Sequence, residues 1–164
     1  MRLRHLIQKQ KTQISDTEWR EGDMTPRHAP YFRKTKPVRR RWKWRSAQAE
    51  DRAGIKYVIV YLCNFYRNNW KSTLAVQVGK DWSVVGRFEY HGSHPGLHCH
   101  ADCNRGGIET GTTGLDVPRI PDTEAPHRRN NTWTDDSFWR ASKKFFRIQA
   151  DDDKQEVLEG IYHD

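Results

Sequence analysis

Three closely spaced runs between residues 56 and 90 leave this chain few ways to fold. Lys56–Tyr66 (KYVIVYLCNFY) is dense in β-branched and aromatic residues and reads as a buried strand. The turn RNNWK follows, Ser72–Val78 (STLAVQV) alternates, Gly79-Lys80-Asp81 marks a second turn, and Trp82–Tyr90 (WSVVGRFEY) reads as a third strand. Strands joined by such short turns pair antiparallel, because a parallel pair needs a long crossover. Trp42–Arg45 can add a strand at one edge. Downstream, TWTDDSFWRASKKFFRI carries Thr134 as an N-cap, Asp135 and Asp136 in a first turn, and Lys143, Lys144 and Arg147 toward the end. Phe138, Trp139, Ser142, Phe145, Phe146 and Gln149 fall on one face at about helical period. The expected fold is therefore α+β: a three- to four-stranded antiparallel sheet with a C-terminal helix packed on one face. A short helix is expected near Leu3–Gln13.

Outside these segments regular signals weaken. Pro26, Pro30 and Pro37 oppose a continuous helix or central strand in the first third. Residues 1–50 are therefore expected to be a basic, largely irregular N-terminal arm, with 51–150 as the core domain and 151–164 as an acidic tail. Within the core domain, residues 91–131 form a long loop rich in Gly, Pro and His, and loops of that length are usually functional or disordered.

Composition narrows the class of partner. The chain has 164 residues, a formal charge of +8, 35% hydrophobic residues and a mean hydropathy of −1.02, so its core is modest. Seven tryptophans and an aromatic fraction of 12% exclude a purely disordered polycation. No window is apolar enough for a membrane span, and MRLRHLIQKQKTQ lacks the apolar stretch of an export signal, so a cytoplasmic protein with no membrane partner is expected. Three cysteines, Cys63, Cys99 and Cys103, are an odd number and argue against a disulfide framework. Cys63, amid an apolar strand, reads as core.

The charge is concentrated. Residues 1–50 hold 14 Lys/Arg against 5 Asp/Glu, a net of +9, so the first third carries more than the whole surplus. Arg33–Arg45 (RKTKPVRRRWKWR) has eight basic residues in thirteen. Arg39, Arg40, Arg41, Lys43 and Arg45 can track a phosphate backbone while Trp42 and Trp44 stack on unpaired bases. The run is equally readable as a solvated face with the tryptophans at alternate core positions of an edge strand. RNA or DNA is the favoured partner, and an acidic protein such as an antitoxin is the other. Arg128 and Arg129 can add phosphate contacts. GGIETGTTG (106–114) lacks the ending of a phosphate-binding loop and reads as a plain flexible loop.

The chemistry sits elsewhere. Four of the eight histidines, His91, His94, His98 and His100, fall within RFEYHGSHPGLHCHADC. By strand parity Arg87, Glu89 and His91 share one face, as do His98 and His100, and an antiparallel turn between them gathers all five. Two chemistries fit. In metal-free RNA cleavage one imidazole takes the 2′-OH proton, a second protonates the leaving oxygen, Arg87 stabilises the phosphorane and Glu89 orients a ring. In the other, His94, His98, His100, Cys99 and Cys103 supply ligands for zinc, in a binding module without catalysis or, with an acidic ligand, in a hydrolytic site. The first needs no cofactor.

A basic lead, a β-meander, Arg87-x-Glu89-x-His91 followed by Gly96-x-His98-x-His100, and a helix bearing Phe138-Trp139 together resemble the TumE-type toxins of bacterial toxin–antitoxin modules. The likeness covers at most residues 56–147. The long basic arm, the paired loop cysteines and the Pro-rich insertion depart from that layout. The resemblance implies a small nucleic-acid-targeting toxin or defence component, a ribonuclease restrained by a partner.

Overall fold

The computed structural model describes residues 3–92, 96–100 and 133–150. In chain order the elements are α1 (Leu3–Gln8), β1 (Lys11–Asp16), β2 (Lys43–Asp51), β3 (Lys56–Asn64), β4 (Asn69–Val78), β5 (Asp81–His91), β6 (Gly96–His100), α2 (Asp135–Phe145) and β7 (Ile148–Gln149). The chain is α+β. Its sheet has seven strands in the order β6-β5-β4-β3-β2-β1-β7, antiparallel throughout except for the short parallel β1–β7 pair. The expected meander is its centre. Three or four strands was too few, and β2, expected at an edge, is interior.

The reason lies in β3. Its residues 57–61 are buried at both parities, so both faces of the sheet must be covered. One face carries the helices: Tyr57, Ile59, Tyr61, Trp70, Leu74 and Phe88 pack against Leu3, Leu6, Ile7, Phe138, Trp139 and Phe145. Phe88 stacks on Phe138 and Phe145, with ring centroids 5.6 and 4.8 Å apart. Helix α2 starts at a capping box: Thr134 accepts from the Ser137 amide, and Ser137 accepts from the Thr134 amide. It ends at Phe145, so Phe146 acts as its C-cap and Gln149 belongs to β7.

On the other face Val58, Val60, Ala75 and Val84 are covered by Met24, Ala29, Tyr31, Phe32 and Val38. The N-terminal third is thus a built-in cover rather than a detached arm. It stays irregular between β1 and β2, where only the isolated bridges Arg20–Trp44 and Met24–Lys36 occur. Its start is fastened by Lys11, which is buried and donates to the carbonyls of Ile7, Lys9 and Phe146 at 3.0, 2.7 and 2.8 Å.

Candidate active site

The covered face also carries a charged cluster at the β4–β5 end. Glu89 is buried, and its neighbours are set by the ladder: Lys71 pairs with Glu89, Thr73 with Arg87, and Asn69 with His91. Lys71 Nζ lies 3.1 Å from Glu89 Oε1, and Arg87 Nη1 lies 3.8 Å from the same oxygen. His91 Nε2 lies 3.3 Å from Glu89 Oε2. Burial pushes the Glu89 carboxyl up, but Lys71, His91 and Arg87 outweigh it and hold its pKa below the usual glutamate value. Two basic side chains, Lys71 and Arg87, face the single carboxylate of Glu89, so the cluster has a cationic surplus. Lys36 adds another cation close by, its pKa lowered by burial and by Lys71. Tyr31 lies beside Thr73, and burial raises its pKa.

Strand β6 completes the backbone framework. His98 pairs with Glu89, His100 with Arg87, and Gly96 with His91. The parity expected from sequence is therefore the register of the β5–β6 ladder. Cys99 pairs instead with Phe88, a core position, so the zinc candidates on β6 are divided between two register classes. His94 and Cys103 of that set, and Arg128 and Arg129 of the basic set, lie outside the described residues. Among the described residues no group of three or more His, Cys, Asp or Glu is arranged to hold a metal ion.

The basic run separates into two parts. Trp44 is 2% exposed and donates its indole N–H to the Gly22 carbonyl, so it cannot stack on a base. Arg45 is engaged as well, bonding both oxygens of Asp16 at 2.7 and 2.6 Å and lying 3.8 Å over the Trp139 ring. Arg39, Arg40 and Arg41 are exposed, and Trp42 and Lys43 are half-buried. Cys63 is buried in the core, which pushes its thiol up to about 12.

Three contributors escaped the sequence reading. Lys71 was hidden inside an apparent turn. Phe65 and Tyr66 cap the β3–β4 hairpin and are 43% and 78% exposed, with Lys43 Nζ 5.5 Å and the Arg41 guanidinium 5.1 Å from their respective rings. The hairpin is well fixed. Asn64 accepts from the Arg67 amide, Asn68 holds a left-handed conformation with φ 46°, and the Gly92 amide donates to the Asn68 carbonyl at 3.0 Å. That last bond places the aromatic hairpin against the end of β5, next to His91.

No family model, no curated protein and no solved structure matches the chain.

Proposed function

We propose that this chain is a nucleic-acid-targeting protein, a toxin-type ribonuclease that cleaves RNA by histidine acid–base chemistry in the cytoplasm. The observation that carries this reading is the buried Glu89, bonded to Lys71 and His91, in a ladder whose opposite strand sets His98 and His100 against Glu89 and Arg87. A carboxylate that holds one imidazole fixes its tautomer and strengthens it as a base. In the proposed reaction a neutral histidine removes the 2′-OH proton as that oxygen attacks phosphorus. A protonated histidine then gives its proton to the 5′-oxygen as the P–O bond breaks. Lys71 and Arg87 offset the charge that builds on the non-bridging oxygens. His98 and His100 are the acid–base pair in this reading, and His91 is the third imidazole.

Affinity would come from Arg39, Arg40, Arg41 and Lys43, together with the Phe65–Tyr66 hairpin beside His91. An exposed aromatic ring next to arginines is the combination that suits unpaired bases on a charged backbone. An acidic protein partner could occlude the same surface.

The test is degradation of a labelled single-stranded RNA at low salt by the parent and by the His98→Ala, His100→Ala and Glu89→Gln proteins, with metal content measured on the same samples. Loss of cleavage in the histidine variants, with fold retained and no bound metal, supports the reading. Unchanged cleavage in both histidine variants rejects it, and stoichiometric zinc lost together with the fold in Cys99→Ser/Cys103→Ser points to the zinc-stabilised binding module instead.

A further inference from the structure

A second polar site lies on the covered face, toward the β1 edge and well away from Glu89. Ser15, Asp16, Thr17, Arg20, Arg27, His28, Ser46 and Gln48 line a cleft of about 520 Å³. β2 and β5 are separated by two intervening strands, which puts the cleft about 14 Å along the sheet from the carboxylate cluster. Its size lies within the range of small-molecule sites rather than that of a bare ion.

The lining is built to face negative charge. Its one carboxylate, Asp16, is already neutralised by the two-pronged bond from Arg45. Among the described residues Arg20 uses only its Nε, on the Thr17 carbonyl at 3.2 Å, and its guanidinium lies 5.9 Å from the Trp44 ring. Arg27 and the side chains of Ser15 and Gln48 make no hydrogen bond or ion pair with any described residue. His28 is held in place by Trp44, with ring centroids 5.0 Å apart, and by Thr25 Oγ1 at 3.1 Å from Nδ1, which leaves Nε2 for a ligand. Its backbone is tied as well, because Ser46 Oγ donates to the His28 carbonyl. Burial, Arg20 and Arg27 lower the His28 pKa.

The geometry points to a binding site for a small phosphate monoester, with Arg20 and Arg27 gripping the dianion and His28, Ser15 and Gln48 completing its hydrogen bonds. Guanidinium groups suit phosphate because their planar forks match two oxygens at once. The remaining volume takes the body of the ligand. This site is independent of the proposed nuclease chemistry, and a Glu89→Gln protein should bind as the parent does.

The experiment is a calorimetric and amide-NMR titration of the full chain with adenosine 5′-monophosphate, with adenosine and with inorganic phosphate. Binding of the monophosphate, at least tenfold weaker binding of adenosine, and shifts at residues 15–28 and 46–48 are expected. Arg27→Ala and Gln48→Glu each alter an exposed side chain, so both should keep the parent melting temperature and lose affinity by tenfold or more. Inorganic phosphate at the same residues with equal affinity would narrow the ligand to the anion alone and overturn the monoester. Equal affinity for adenosine, unchanged affinity in both variants, shifts confined to the β4–β6 end, or no binding at millimolar ligand would each overturn the site.

Discussion

Lys71 and Glu89 stand directly opposite one another in the β4–β5 ladder, with the ammonium 3.1 Å from a carboxylate that is almost fully buried. The pair ties the two strands together at the end where His91 and the aromatic hairpin meet. It also makes stability depend on acid.

The sign follows from the carboxylate. The folded-state pKa of Glu89 is depressed, so its contribution is present above the unfolded value of about 4.3 and is lost as pH falls through the folded value. Asp51 behaves alike: burial raises its pKa, but Lys9 at 2.7 Å and the amides of Ile55 and Ala53 lower it further. The parent should lose stability steeply below pH 4.3, and Glu89→Gln should show a shallower loss together with a lower plateau near neutrality. Thermal midpoints between pH 3 and 6 for both proteins measure this. Parallel curves would refute the assignment.

Trp44 and Tyr66 should respond in opposite ways to truncation. Trp44→Ala empties a core site and should cost about 3–5 kcal/mol. Tyr66→Ala removes an exposed ring and should change stability by less than about 0.5 kcal/mol while weakening binding to single-stranded RNA by about 1–3 kcal/mol. Denaturant unfolding and fluorescence anisotropy read the two effects separately.

Removing Arg39, Arg40 and Arg41 together should flatten the salt dependence of nucleic-acid binding by about two to three counterions. The readout is the slope of log affinity against log salt. An unchanged slope would mean that these side chains meet no phosphate.

Lys11→Met should destabilise by about 2–4 kcal/mol, since it leaves three carbonyls without their shared donor. Gly86→Val should destabilise as well. A Cβ there would lie 3.1 Å from Ile7 Cδ1 and 3.4 Å from Phe146 Cε1, so those side chains would have to give way to it and to the two methyls of valine. Chemical unfolding midpoints check both variants.

Much of this architecture could be read from residue patterns, for identifiable reasons. β3 to β5 are dense in residues that suit a pleated surface, and α2 announces itself through Thr134 and its acidic first turn. The shared face of Arg87, Glu89 and His91 was legible because alternation along a strand is rigid, whereas the residue-by-residue register with β6 was not. The N-terminal third was harder. β1 is KTQISD, a polar hexamer made a strand by its neighbours rather than by its own composition. Met24, Ala29 and Val38 are too sparse among charges and prolines to show a period. The clue was indirect: KYVIVYL is apolar at both parities, and a single helix can cover only one face. Lys71 escaped because it belongs to β4, which begins at Asn69, earlier than the alternating pattern. The cleft around Arg20, Arg27 and His28 joins residues from two strands and an irregular segment, and no local spacing encodes that.

Lys11 and Phe146 are joined although 135 residues separate them, and β1 finds its outer partner in β7. Synthesis runs in the opposite sense to this closure. The first strand emerges long before the strand that flanks it, so the sheet stays open at that edge until residue 149 has left the ribosome. Until then, a strand edge and a cationic segment remain unsatisfied on the nascent chain. Such distant pairing makes for slow folding, and it makes the arrival of β7 the event that closes this edge of the sheet.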